Sequence, residues 1–211
     1  MPDHNPTFTS MKKLPITFYK GKDVVSIARN LIGKIVVTNV EGERTSGRIV
    51  ETEAYKAMID KASHSFCGRR TARNEHMYAP GGTSYVYICY GMHQMLNIVT
   101  NEKDIADAVL IRAIEPIEGI GTMLKRTGKS KDDFTLTRGP GNVGKALGVF
   151  KQHSGLHLLE DTIYLVDDGI KISDDLVGIS ARIGVASAGA DAHLPYRFYL
   201  KGNKYVSGKK S

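Results

Sequence analysis

The stretch RIVETEAY carries two carboxylates, Glu51 and Glu53, at a spacing that places both on one strand face with Ile49 and Tyr55, because successive strand residues point to opposite sides. Alternate strand positions lie roughly 7 Å apart. Like charges at that separation, if partly buried, raise a carboxyl pKa into the range that suits a general acid or base. The alternative is a solvated sheet face on which the pair does no chemistry. Arg112 bears on the choice. It lies inside the apolar run AVLIRAI, and a buried guanidinium requires a carboxylate or phosphate partner, which Glu51 or Glu53 would supply.

A second cluster is SYVYICYGMHQMLNIV, residues 84–99. Alternation puts Tyr85, Tyr87 and Cys89 on one face and Val86, Ile88 and Tyr90 on the other. Tyr90 then meets Gly91, and the apolar pattern resumes at Met92, which predicts a hairpin with Tyr90 near its tip. Aromatics suit any half-buried pleated surface, so Tyr85 and Tyr87 are either ordinary strand residues or the walls of a pocket. Tyr90 at a tip is poorly placed for a core. Asn97 interrupts the run MLNIV; buried, its amide must be hydrogen-bonded, either as an internal tie or as a reader of a polar ligand.

Other chemistries find less support. Cys67 and Cys89 form no CxxC pair, and the seven histidines show no HExxH spacing, so no disulfide framework, metal or other cofactor is expected. The segment from Gly139 to Lys145, GPGNVGK, nearly spells a phosphate-cradling P-loop. Ala146, however, stands where a metal-reaching hydroxyl is needed, and the chain lacks the repeating βα units of that fold. Backbone amides at the start of the helix VGKALG still suit an anion, such as a nucleic-acid phosphate.

These groups need elements to hold them. Asp23 and Gly33 bracket a helix over VVSIARNLI. KIVVTNV and SGRIVETEAY read as an antiparallel pair around the turn EGERT. Thr71 is expected to cap a short helix to about Tyr78, and DAVLIRAIE is a strand. Pro116 is expected to open a helix to about Arg126, and HLLE, TIYLVDD, KISD, ISARIGV and YRFYLKG read as short strands. Without regular βαβ alternation, the class is α+β: a single mixed domain with a curved, largely antiparallel β-sheet, flanking helices and a protruding β-hairpin. A flexible polar leader is expected over residues 1–17, the domain over 18–206, and a basic tail over 207–211.

The leader lacks a signal-peptide core, and no apolar run approaches a membrane span, so an intracellular, non-secreted protein with no membrane association is expected. The net charge of +7 favours a polyanionic partner. Basic residues gather at Arg69, Arg70 and Arg73, at Lys125, Arg126, Lys129 and Lys131, at Arg138 and Lys145, and at Lys209 and Lys210. Acidic residues gather from Glu160 to Asp175. A positive face and a negative face are therefore expected.

Taken in order, RIVETEAY, KASHS, RRTARNEHMYAPGGTSYVYICYGMHQMLNIVT, AVLIRAIEP, GPGNVGKALG, ARIGV and YRFYLKG resemble the alkyladenine, or methylpurine, DNA glycosylase family over about Phe18 to Val206. The resemblance implies hydrolysis of the N-glycosidic bond of an alkylated or deaminated purine flipped out of double-stranded DNA, without a metal, a covalent lysine intermediate or an obligate protein partner, by a monomer working where DNA is. Glu53 then matches the base that activates water, and Arg112 the arginine that helps hold it. Tyr55 matches one wall of the base pocket, with His64 and Tyr87 the other. Asn97 matches the residue that rejects guanine, and Tyr90 the wedge that fills the gap left by the flipped nucleotide. Arg69, Thr71, Arg73, Met92, Gly139 and Lys145 are expected along the DNA-binding surface. The rival readings are a nucleic-acid-binding module without chemistry, which has no need of Glu53 beside Arg112, and a formyl- or acyl-transferring enzyme, which needs a cofactor pocket the sequence does not reveal.

Overall fold

The computed structural model describes residues 11–208, so Lys209, Lys210 and the first ten residues of the expected leader lie outside the described residues. Among the described residues, nine strands form one sheet in which every ladder is antiparallel. They are β1 (Lys12–Lys13), β2 (Ile35–Val40), β3 (Glu43–Tyr55), β4 (Ser84–Cys89), β5 (His93–Thr100), β6 (Asp107–Glu118), β7 (Ile163–Asp167), β8 (Val177–Ser180) and β9 (Arg197–Leu200). The order is β1-β7-β2-β3-β6-β5-β4, with β9 pairing β3 and β8 pairing β9, and the sheet curls into a half-barrel, in agreement with the expected α+β class.

The longest strand, β3, explains the branch. Its first half pairs with β2, from Ile35 opposite Arg48 to Val40 opposite Glu43, and its second half pairs with β9, Glu51 opposite Tyr199 and Glu53 opposite Arg197. Strand β6 runs along β3 with register shifts at Ile49/Glu51 and Glu51/Thr52. Such an irregularity bends a strand and increases its twist. The sheet therefore forks at the two glutamates.

Helices cover the inner face. α1 (Ile16–Tyr19) is a single turn. α2 (Val24–Asn30) starts where expected, with Asp23 accepting from the Val25 amide, and buries Val24, Ile27 and Ala28. α3 (Ile120–Thr127) packs against α4 (Pro140–Leu147), which also lies on β5. That last approach needs a glycine, because a Cβ on Gly144 would stand 2.1 Å from the Gln94 carbonyl oxygen. No helix among the described residues is long and apolar enough to cross a membrane.

Several boundaries differ from expectation. Pro116 lies within β6 opposite Gly47, and α3 begins only after the left-handed Gly119; β6 pairs with β5 only from Asp107 to Leu110, so beyond that point it has no second strand neighbour whose ladder needs an N–H from the proline. Thr71 does not cap a helix: its amide and hydroxyl both donate to Asn74 Oδ1, and only a 3-10 turn follows over Glu75–Tyr78. HLLE supplies one isolated bridge, Thr83 with His157, KISD no strand, and ISARIGV only the end of β8. The turn before β3 narrows to Glu41 and Gly42, and α4 begins at Pro140 rather than Val143. At the ends, β1 pairs with β7, Leu14 is buried, and the Ser207 amide donates to Glu51, so the ordered fold reaches beyond the expected limits of 18 and 206 on both sides.

Candidate active site

The fork in β3 puts Glu51 and Glu53 fully out of solvent, which overturns the solvated-face alternative. Arg112, projecting from β6, reaches both: its Nε donates to Glu51 Oε1 at 3.1 Å and its Nη1 lies 3.3 Å from Glu53 Oε1. The two carboxylates thus share the face that alternation assigned them, and their partners divide their roles. Glu51 also accepts from Arg197 Nε at 2.7 Å and from the Ser207 amide at 2.8 Å, so it joins three parts of the chain. Glu53 accepts from the Ile183 amide at 2.8 Å on Oε1 and from the Tyr55 hydroxyl at 2.7 Å on Oε2. Burial works against the charge on Arg112, but Glu53 and Glu51 outweigh it and hold the guanidinium above its ordinary pKa. Burial, then the neighbouring Glu53 charge and hydrogen bond, push the Tyr55 hydroxyl well above its usual value and keep it a donor.

Over this cluster opens a cavity of about 680 Å³ lined by Tyr55, His64, Tyr85, Tyr87, Asn97 and Arg112, among others. Glu53 does not line it; the carboxylate sits beneath Tyr55, Arg112 and Ile183, which do. Strand alternation delivers Tyr85, Tyr87 and Cys89 to the cavity side of β4, while Val86 enters the main core. The Tyr85 and Tyr87 rings stack with centroids 5.6 Å apart. His64 meets Tyr87 edge-on at 4.6 Å and hydrogen-bonds the Tyr85 hydroxyl through Nδ1 at 3.0 Å. Burial, followed by the charges of Arg73 and Arg69, lowers the His64 pKa and favours the neutral imidazole; burial pushes Tyr87 up to about 12. Asn97 is both a tie and a cavity residue: its Nδ2 donates to the Tyr85 and Met95 carbonyls at 3.2 and 3.1 Å, in a position that lines the cavity.

The hairpin of β4 and β5 turns through Tyr90 and Gly91, both left-handed, at φ +50 and +71. Such a turn matches the strand twist but strains a tyrosine. Tyr90 is 88% exposed and Met92 71% exposed, so the tip presents two apolar side chains to solvent at the cavity mouth. Arg69, Thr71 and Arg73 are exposed and line the mouth, with the Arg73 guanidinium 5.7 Å from the centroid of the Tyr87 ring. Gly139, at φ +87, precedes Pro140, which also lines the cavity. Lys145 is not brought there: its Nζ points to the Thr127 carbonyl at the end of α3.

The expected basic face is thinner than its residue count. Arg70 is engaged by Glu75 and Asp104, and Arg126 caps backbone carbonyls at Ala146 and Val40. Among the described residues, no group of three or more His, Cys, Asp or Glu could hold a metal ion. Sequence reasoning missed Arg182, Arg197 and Asp60. Arg182 is buried, pairs with Asp60 and lies 4.8 Å from the centroid of the Tyr55 ring. The signal was available, since both arginines stand in apolar surroundings, in ARIGV and YRFYL, as Arg112 does in AVLIRAI.

A family model described as Methylpurine-DNA glycosylase (MPG) matches residues 17–204. The chain is 44% identical over 200 residues to a Clostridium perfringens protein, covering 91% of this chain and 97% of that one. It is 44% identical over 207 residues to a Clostridium novyi protein, covering 94% and 100%, and 44% identical over 184 residues to a Chlamydia pneumoniae protein, covering 87% and 92%. All three carry the name "Putative 3-methyladenine DNA glycosylase".

Proposed function

Because this chain belongs to the methylpurine-DNA glycosylase family and is a DNA glycosylase, we propose that it flips alkylated or deaminated purines out of duplex DNA and hydrolyses their N-glycosidic bond with water activated by Glu53. The observation that carries the reading is a fully buried glutamate, paired with Arg112, directly beneath an aromatic cavity whose mouth holds an exposed tyrosine. Tyr90 enters the duplex in place of the lost nucleotide. Extrusion costs a few kcal/mol, least at a damaged pair, and stacking between Tyr55 on one side and His64 and Tyr87 on the other offsets it. Arg69, Thr71, Arg73, Met92 and the Gly139 turn contact the DNA around the mouth.

An ionised carboxylate has about four lone-pair sites. In Glu53, Tyr55, Ile183 and Arg112 take three, two of them on Oε1, which leaves a site on Oε2 for a water. As that water's oxygen bonds to C1′, the C1′–N9 bond breaks and its electron pair leaves with the purine. A purine made cationic by alkylation departs neutral, hypoxanthine departs as an anion that takes its proton from solvent water, and in both cases the proton lost by the attacking water passes to Glu53. Arg112 holds the charge of the carboxylate and the position of the water. Asn97 occupies the place where the 2-amino group of guanine would sit, and so weighs against unmodified guanine relative to hypoxanthine, while 7-methylguanine, whose cationic ring weakens its glycosidic bond, remains a substrate.

The test is a set of duplexes, each with one 7-methylguanine, 3-methyladenine or hypoxanthine, followed by heat and alkali. Strand breaks at the lesion that appear only after heat-alkali treatment are expected. Intact strands throughout would refute the reading, and breaks without that treatment would refute its purely hydrolytic chemistry.

A further inference from the structure

Arg182 is buried and does not line the cavity, yet its guanidinium is closely engaged. Arg182 Nη1 donates to the Ala54 carbonyl at 2.9 Å, and Nη2 to Asp60 Oδ1 at 2.8 Å and to the Asp191 carbonyl at 3.1 Å; Asp60 Oδ2 pairs with Nη1 as well. Its guanidinium carbon lies 4.8 Å from the centroid of the Tyr55 ring and 5.3 Å from that of Tyr196. Asp60 in turn accepts from the Ala62 amide at 3.0 Å and the Lys56 amide at 3.3 Å, which fixes the start of the loop that carries His64. The residue after Arg182 is Ile183, whose amide donates to Glu53 at 2.8 Å.

We infer that the buried Arg182–Asp60 pair is a positioning device: it sets the Tyr55 wall and the Ile183 amide together, and through them the orientation of Glu53. The inference rests on the proposed role of Glu53. A guanidinium tied to Asp60 and two carbonyls fixes the backbone of residue 182, and therefore the direction of the next N–H. Stability alone does not require an ion pair here, since a buried pair is often replaceable by packed apolar groups without loss. A planar fork is required, however, to satisfy three acceptor groups while stacking on a ring.

Arg182→Lys keeps the charge but reaches fewer acceptors and cannot stack, so it removes geometry and leaves the electrostatics in place. Glu53 is faced by Tyr55 and Glu51 from β3, Arg112 from β6, Tyr87 from β4 and residue 182 itself, and the charge of every one is kept in this variant. Single-turnover excision of 7-methylguanine is measured against pH, below the melting temperature, with binding to a duplex carrying an abasic-site analogue measured alongside. The expected rate is lower by about 100-fold, the loss that about 1 Å of misplacement produces, with binding retained. The acid limb of the profile moves to higher pH, because an amide directed at a carboxylate favours its charged form and that help is weakened. Asp60→Asn, with one acceptor atom in place of two, is expected to lower the rate with binding retained and carries the test if the lysine variant does not fold. Either variant, folded and with the wild-type rate, overturns the inference, as does a folded Arg182→Lys with a reduced rate and an unmoved limb. A wild-type protein that excises nothing refutes instead the function on which it rests.

Discussion

Two groups of ion pairs, on either side of β3, show what burial does to a charge. At the far edge, Lys13–Asp161, Arg29–Asp174 and Lys34–Asp167 tie β1, α2 and the residue before β2 to the acidic stretch from Glu160 to Asp175, and each has one exposed partner. At the fork, Arg112, Arg182 and Arg197 meet Glu51, Glu53 and Asp60 with almost no solvent contact. Water screens the first group, and each pair contributes little. The second group holds its charges where a neighbour's field is felt at full strength, so it both governs local stability and can do chemistry. The acidic stretch, which in the sequence gives the impression of a negative face, is largely neutralised by basic partners.

The sharpest way to break the comparison is Glu51→Ala. It leaves Arg112 and Arg197 buried without their shared partner and should destabilise the fold by about 3–5 kcal/mol, read as a lower denaturant midpoint. A loss below about 1 kcal/mol would mean that water enters the fork.

Asn97→Ser is expected next in size. It removes amide bonds to the Tyr85 and Met95 carbonyls, at a cost of about 1–3 kcal/mol, and opens the cavity beside them. Excision of mismatched guanine relative to hypoxanthine should rise. An unchanged ratio with lowered stability would return Asn97 to the role of a structural tie.

Acid should weaken the fold in two windows, the first through buried histidines outside both groups and the second through the far edge. Burial lowers the pKa of His64 and of His153, so below about pH 6.5 the unfolded chain takes up protons that these folded imidazoles resist, and stability falls with pH. Asp167 acts lower. Burial alone would raise it, but the Lys34 ammonium and the Gly169 amide outweigh that and depress it, so its contribution is present above the unfolded carboxyl range near pH 4 and is lost as pH falls through the folded value. Melting temperature against pH should therefore decline first through the histidine window, and His64→Gln should flatten part of that first decline only. A curve flat from pH 7 to 5 would contradict the assignment.

Asp161→Asn should change stability least, within about 0.5 kcal/mol, because its side chain is largely exposed. A larger loss would erase the contrast between the two groups.

What the sequence discloses of this site follows the range of the interactions. Alternation along one strand suffices to place Tyr85 and Tyr87 on a common face and to make Glu51 and Glu53 neighbours, and a cation in an apolar run is enough to mark Arg112. The hairpin with Tyr90 at its tip is legible because glycine follows the tyrosine. The apolar runs around Arg182 and Arg197 mark them as Arg112 is marked, but their pairing was not legible, since their partners Asp60 and Glu51 lie 122 and 146 residues away, and no local spacing encodes a branch of β9 from β3. Pro116 misled because a proline that opens a helix and one that sits beside a vacant strand edge look alike in sequence. Arg126 misled because a basic count does not show which cations are held by backbone carbonyls.

The central claim is that Glu53 performs the chemistry and the aromatic cavity performs the binding, and Glu53→Gln separates the two. The amide is nearly isosteric and can still accept from Ile183 or Tyr55, but it cannot take a proton from water. With duplex carrying one 7-methylguanine and enzyme in excess, the account predicts binding within a few-fold of wild type and a single-turnover rate lower by about 10²–10⁴-fold. A variant that excises at the wild-type rate would contradict it.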